Sequence, residues 1–84
     1  MDKVIECVPN FSIGKNVQFI EPIVNAIKSV GPFVKILDYS NDIDHGRLVV
    51  TFIGDGDSLR DAAYEGAKKA VELINIHEHK GVHP

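Results

Sequence analysis

The chain has 84 residues, of which 44% are hydrophobic and 25% are charged, and its formal net charge is −3 at pH 7. This length predicts one small domain over residues 1–84, and such a chain buries only about 60–65% of the surface that its unfolded state exposes. We therefore expect a partner subunit or a further part of the polypeptide to add stability. The largest basic cluster is Lys68-Lys69, which argues against nucleic-acid binding as the main task.

The cysteine count and the hydropathy pattern bear on the compartment. Cys7 is the only cysteine, so an internal disulfide is excluded and a reducing cytoplasm is expected. No apolar run approaches the ~20 residues that span a bilayer, and no signal-peptide pattern is visible. These features predict a cytoplasmic protein without a membrane partner.

The first third of the chain predicts a strand, a turn and a helix. Residues 3–8, KVIECV, are rich in β-branched side chains and predict a strand. Residues 9–16 have the composition of a turn. The spacing of Ile20, Ile23, Val24 and Ile27 then predicts a helix, which we expect to begin at Val17 after an Asn16 N-cap and to end at Gly31-Pro32. A start at Glu21 is the alternative, because it would place Pro22 in the first turn and not in the helix interior.

The middle of the chain predicts two strands. These are residues 33–39 and 47–53, joined by a polar connection over residues 40–46. Leu48, Val50 and Phe52 are expected to point to one face of the second strand and to form the core. The opposite face is also partly apolar, which predicts a second covering layer.

The last third predicts a second helix, with Ser58 as its N-cap and an end near Asn75. The order β-α-β-β-α predicts an α/β (α+β) ferredoxin-like two-layer sandwich whose fourth strand is missing from this chain. In such a sheet the missing strand would leave the first strand as an exposed edge. Pairing at this edge predicts a homo-oligomer as an alternative to a missing C-terminal subdomain.

Three of the four histidines lie in residues 77–84, HEHKGVHP. A metal site needs three or four converging ligands, and this spacing matches no common zinc pattern, so we expect no metal. A general acid/base is the alternative, because imidazole titrates near neutrality, although composition does not select the histidine. The stretch DIDHGR (42–47) is interpreted as a solvated connection rather than a calcium loop.

Three stretches now resemble a known family: VIECVPNFSIGKN (4–16), LDYSNDIDHGRLVVTFIG (37–54) and HKGVHP (79–84). They are similar to the N-terminal subdomain of glutamate formimidoyltransferase, the formiminotransferase half of formiminotransferase-cyclodeaminase. The resemblance implies transfer of a formimino group from N-formimino-L-glutamate to tetrahydrofolate, in histidine degradation. It also implies two similar subdomains with the substrates, folate and formiminoglutamate, in the cleft between them. Tetrahydrofolate would be a co-substrate, and no metal is implied.

The resemblance also implies residue roles. The histidine before proline in the last motif, His83, corresponds to the family's acid/base. Asn10, Arg47, His79 and Lys80 lie in the matching motifs and are candidates for substrate contacts. A surface arginine on a strand is the alternative for Arg47, and a turn residue that bonds its own backbone is the alternative for Asn10. Because a second subdomain is absent from this chain, we expect the isolated chain to be inactive. A small folate-binding or homo-oligomerising module is the alternative.

The chain departs from the family pattern at two motif positions. Val82 replaces a glutamate before the proposed acid/base, and Gly46 replaces an asparagine before Arg47. The first change removes a carboxylate next to the candidate histidine.

Overall fold

The computed structural model describes the backbone of residues 4–81 and the side chains of residues 4–76. The fold is α+β, with four antiparallel strands and two α-helices that pack on one face of the sheet. In chain order the elements are β1 Ile5–Cys7, β2 Asn10–Ser12, a 3-10 helix Val17–Phe19, α1 Ile20–Lys28, β3 Lys35–Asp42, β4 Arg47–Gly54 and α2 Gly56–Gly81. Within this described part of the chain, neither α-helix combines the length and hydropathy that a membrane span requires.

The strand β4 is the centre of the sheet, because every other strand pairs with it and all pairs are antiparallel. β3 pairs with residues 47–53 of β4, with a bulge between Ile36 and Asp38. β3 occupies one edge of β4. β1 and β2 pair one after the other with its second edge. The bounds of β4 confirm the strand predicted at 47–53. β3 runs further along the chain than the predicted strand at 33–39, and the connection shrinks to residues 43–46.

The strands β1 and β2 form one interrupted edge strand. Both pair with β4 in a single continuous register. Pro9 lies in the gap and has no N–H to donate to the ladder, although the Val50 N–H still donates to the Pro9 carbonyl at 3.2 Å. The prediction of a turn over 9–16 is therefore wrong for Asn10–Ser12, which are strand residues.

The core lies between β4 and the helices. Leu48, Val50 and Phe52 are fully buried, which confirms the predicted alternation along this strand. From α1 the core takes Ile23, Val24 and Ile27. A Cβ atom at Gly66 of α2 would lie 2.9 Å from Cγ1 of Ile27. The glycine therefore permits a close approach of the two helices that any side chain would obstruct.

The helix α1 begins later than predicted. Residues Val17–Phe19 form a 3-10 turn, and the α-helix starts at Ile20. Pro22 consequently lies in the first turn, where its missing N–H has no helical partner to lose. Asn16 makes no side-chain cap; its Nδ2 instead donates to the Ile13 carbonyl at 2.9 Å.

The helix α2 differs from its prediction at both ends. Asp55 caps it, because Asp55 Oδ1 accepts the Ser58 N–H at 2.8 Å and Oδ2 accepts the Ser58 hydroxyl at 3.2 Å. The predicted cap, Ser58, is wrong, since Ser58 is the donor in this arrangement. The helical backbone also continues to Gly81 and does not end near Asn75.

Substitution of Leu48 by alanine should be among the most destabilising changes in the chain. Its side chain is fully buried at the centre of the core, so truncation removes apolar contacts and leaves a cavity, at a cost of about 2–5 kcal/mol. Leu37→Ala is the matched control, because Leu37 is 51% exposed and should cost within about 0.5 kcal/mol. Urea unfolding of both variants measures the difference, and equal losses would contradict the proposed core.

The Asp55 cap predicts an acid-sensitive helix start. The Ser58 backbone N–H, followed by the Ser58 hydroxyl, lowers the pKa of Asp55 below its ordinary value of 3.8. A carboxyl with a lowered folded-state pKa contributes stability that is present above the unfolded-state pKa and is lost as the pH falls through the folded-state value. Asp55→Asn keeps a capping oxygen without the charge, so its stability should fall less than that of the wild type on acidification below about pH 4. Thermal unfolding over this range is the measurement, and identical pH profiles would refute the prediction.

Candidate functional site

The face of the sheet away from the helices is uncovered in the described structure. Alternation along β4 directs Arg47, Val49, Thr51 and Ile53 to this face, opposite the buried core residues. Arg47 is exposed, while the other three are only half-buried. We call this surface the open face. It combines a partly apolar floor with polar groups at its edges, and partly apolar exposed surfaces of this kind often mark interaction sites.

Two of the predicted site residues meet on the open face. Asn10 lies opposite Val49 and Arg47 lies opposite Ser12 in the register of β2 with β4. Asn10 and Arg47 are therefore diagonal neighbours on the same face, a relationship that corresponds to a separation of about 7–8 Å. Both are exposed, and Arg47 forms no ion pair with any side chain of residues 4–76. A guanidinium that forms no ion pair within this part of the chain is suited to bind a carboxylate.

The other predicted site residues belong to the C-terminal segment. His79 and Lys80 lie on the helical backbone of α2, and their side chains are outside the described residues; His83 lies outside the described backbone as well. A Cβ at Gly54 would approach the Leu59 side chain, and one at Gly66 would approach Phe11, so α2 runs back along the sheet from the end of β4 towards its start. Gly66 already lies beside Phe11 at the end of the sheet that carries Asn10 and Arg47. The rest of α2 to Gly81, about 22 Å of helix, therefore extends past this end of the sheet, on the face opposite those two residues. The roles of the three residues stay predictions.

The turn between β3 and β4 holds an interaction that the sequence reasoning missed. His45 Nδ1 lies 2.7 Å from Asp42 Oδ2, and the His45 backbone N–H donates to Asp42 Oδ1 at 3.3 Å. The side-chain hydrogen bond from His45, assisted by the backbone bond, lowers the pKa of Asp42. The interpretation of residues 42–47 as a solvated connection does not include this contact, although an Asp three residues before a His is a spacing at which the carboxylate can bond back onto the turn.

Two glycines lock this turn against the segment that follows β2. The Gly46 carbonyl accepts hydrogen bonds from the Ile13 N–H at 2.9 Å and the Gly14 N–H at 3.0 Å. Gly46 and Gly14 have φ values of 66° and 62°, in the left-handed region that favours glycine and, after it, asparagine. A left-handed residue before Arg47 accounts for glycine here in place of the asparagine typical of the resembled family. The lock fixes the start of β4, and so Arg47, relative to β2.

Other candidate ligands and nucleophiles do not converge in the described structure. Among residues 4–76, no group of three His, Cys, Asp or Glu side chains is arranged to hold a metal ion; the histidine-rich tail lies outside this range. Cys7 is half-buried and packs against the core, the environment of a small apolar residue.

Comparison with known proteins gives consistent relatives. The sequence profile of the formiminotransferase domain, N-terminal subdomain, matches residues 4–84. Over 84 residues the chain is 45% identical to the glutamate formimidoyltransferase of Streptococcus pyogenes serotype M1, covering 100% of this chain and 28% of the relative. The Thermoplasma acidophilum protein of the same name is 46% identical over 81 residues, covering 96% and 26%. The formimidoyltransferase-cyclodeaminase of Gallus gallus is 40% identical over 84 residues, covering 100% and 15%. The chain thus spans about a quarter or less of the length of these curated relatives.

Replacing Gly46 by alanine should loosen the lock between the two turns. An added Cβ would lie 2.9 Å from the Gly14 Cα, and this clash with backbone adds about 1–3 kcal/mol to the strain of a left-handed alanine. Gly14→Ala isolates the strain, because its φ is similar and its Cβ would meet only Asn16 Nδ2, at 3.7 Å. We expect Gly46→Ala to lower the free energy of unfolding more than Gly14→Ala. Equal losses would show that the contact between the turns is not tight.

Proposed function

The chain belongs to the family of formiminotransferase N-terminal subdomains, and from this we propose that it forms one wall of a transferase site. The proposed reaction moves a formimino group from N-formimino-L-glutamate to tetrahydrofolate, the co-substrate. The observation that carries the proposal is the pair Asn10 and Arg47, which are diagonal neighbours on the open face. The names of the relatives, formimidoyltransferases, supply the reaction class.

The roles of the two residues follow from their chemistry. Both proposed substrates bear glutamate carboxylates, and an arginine presents a planar fork of donors that matches a carboxylate with two parallel hydrogen bonds. Arg47 has no ion-pair partner among residues 4–76, so binding breaks no ion pair with a described residue. The Asn10 amide can donate and accept at once, which suits a nitrogen-rich formimino group or a folate ring edge.

His83 is the proposed general acid/base. The attacking amine of tetrahydrofolate must lose a proton as it adds to the formimino carbon, and the departing glutamate nitrogen must gain one. One imidazole can perform both transfers in turn, because its ordinary pKa lies near neutrality. His79 and Lys80 are proposed as substrate contacts in the same segment. No metal is needed for this proton balance.

The open face supports a second wall as part of the proposal. Val49 and Ile53 leave part of this face apolar, and such a surface fits a covering layer better than bulk water. We infer that a second α+β subdomain, or a second copy of this chain, covers the face and encloses the substrates. The sheet order also fits a ferredoxin-like sandwich if β1 and β2 count as its first strand. Because transfer depends on holding both substrates in the correct relative position, we expect the 84-residue chain alone to be inactive. The proposed location is the cytoplasm.

A second candidate is a non-catalytic folate-binding or homo-oligomerising module. The observation that favours it is the outer edge of β1 and β2, which pairs with no strand among the described residues. Unpaired edges recruit strands from other chains. Light scattering discriminates this candidate, since a mass of one chain at micromolar concentration argues against it.

Titration of the labelled chain with tetrahydrofolate and N-formimino-L-glutamate tests the proposed site. We expect the largest amide shifts in the NMR spectrum at Asn10 and at Arg47, because both lie on the open face. Shifts confined to the helical face, for example at Asp61 and Tyr64, would refute the site. If neither compound binds, the proposed function is refuted, and the homo-oligomerising module is the candidate that survives.

Charge removal at Arg47 should weaken binding of N-formimino-L-glutamate. Arg47→Ala is expected to raise the Kd about tenfold, because it deletes a charge-assisted, two-point contact. Arg47→Lys should recover only part of the loss, since an ammonium lacks the planar fork. Arg60→Ala is the control, because Arg60 is an exposed helical arginine beside Asp57 and its loss should leave the Kd unchanged. An Arg47→Ala variant with the wild-type Kd would contradict the role.

Formimino transfer by the purified chain tests the claim of inactivity. We expect no turnover above the uncatalysed rate, because the chain supplies only one wall of the cleft and orientation is lost. A spectroscopic assay of tetrahydrofolate consumption measures this. Turnover typical of an enzyme, of about 1 s⁻¹ or more, would refute the claim.

A further inference from the structure

The pairing of β3 with β4 sets an acid directly opposite Arg47, which has no ion-pair partner among residues 4–76. Asp42 lies opposite Arg47 in the register, and opposite residues of an antiparallel pair project to the same face. Both side chains therefore start from the open face. A cross-strand ion pair between them would be the ordinary outcome, yet none is formed: the only ion-pair partner of Asp42 among the described residues is His45.

His45 engages both oxygens of this carboxylate. Its ring Nδ1 lies 2.7 Å from Oδ2, and its backbone N–H donates to Oδ1 at 3.3 Å. A hydrogen bond to an ionised acceptor is one of the stronger contacts in proteins, and two of them fix the direction of the Asp42 side chain. The carboxylate is thereby held against its own turn and kept from the neighbouring strand.

The turn that carries His45 is itself held in position. The Gly46 N–H donates to the Ile43 carbonyl at 3.2 Å, and the Gly46 carbonyl accepts the two N–H groups of Ile13 and Gly14. His45 therefore sits on an anchored turn.

We propose that His45 is a positioning residue that diverts Asp42 and so keeps Arg47 available for the carboxylate of the substrate. The nature of the ligand rests on the proposed function; the diversion of Asp42 does not. Without the His45 ring, only the longer backbone hydrogen bond of 3.3 Å still holds Asp42, and its carboxylate turns to Arg47 and neutralises it. The substrate carboxylate then has to displace an internal carboxylate before it binds.

A measurement without ligand tests the diversion directly. In His45→Ala, the Arg47 Nε–H signal in the NMR spectrum should shift and exchange more slowly with water, because Asp42 now accepts from it. Asp42→Asn added to His45→Ala should reverse both changes. Ile43→Ala is the control, as an alanine substitution at an exposed position of the same turn. An Arg47 signal that is the same in the wild type and in His45→Ala overturns the proposal.

Binding of N-formimino-L-glutamate provides the functional readout. His45→Ala should raise the Kd about fivefold, at the upper end of what a competing cross-strand charge pair contributes. The double variant Asp42→Asn/His45→Ala should bind with nearly the wild-type Kd, since the competing charge is gone. His45→Asn, whose side chain retains donors for Asp42, should lie between the wild type and His45→Ala.

The NMR signal of Arg47 and the Kd of N-formimino-L-glutamate test the role of His45 and the proposed function separately. A wild-type chain that binds no N-formimino-L-glutamate refutes the function, while the Arg47 signal still decides the diversion. A double variant that binds as weakly as His45→Ala overturns the inference, because the loss would then come from the turn and not from Asp42.

Discussion

The antiparallel pairing of every strand with β4 is the constraint on which this structure depends. Its inward residues are fully buried against the helices, while its outward residues form the floor of the open face. A shift of β4 by one residue would exchange these two sets. The same register that fills the core therefore also decides that Arg47, Asn10 and Asp42 share one face. The stability of the core and the arrangement of the candidate site therefore both depend on the register of β4.

The parts of the fold that could be predicted are those with a strong local signal. The alternation in 47–53 and the helical spacing from Ile20 to Ile27 are both present in the structure, because each pattern matches the period of its element. The strand at Asn10–Ser12 was missed, since Asn, Ser and a preceding Pro are turn formers. Its strand conformation comes from pairing with β4, a contact between residues far apart in sequence, which local propensity does not encode. The continuation of α2 to Gly81 was missed because its composition changes to polar and histidine-rich residues near Asn75.

The candidate site was predictable only in part, and for a different reason. Asn10 and Arg47 entered through the resemblance of their motifs to a family, but their position side by side follows from the register of β2 with β4. The contact of His45 with Asp42 needs the turn geometry as well as the spacing, so the sequence alone allowed several interpretations. The acid/base role of His83 still rests on the motif, because that residue is outside the described structure.

Pro9 has a consequence for the rim of the sheet. Its carbonyl points to β4, where it accepts the Val50 N–H, and in an extended strand the nitrogen of the same residue points the same way. The proline therefore removes a donor from the side of this strand that faces β4. The donors on the opposite side, which faces away from β4, are unaffected. Glu6, Val8, Asn10 and Ser12, whose backbone groups alternate to the outside, all have an N–H to offer. Prolines on sheet edges usually protect against strand addition by turning their nitrogen outward. Here the proline is turned inward, so this rim keeps a complete template for another strand.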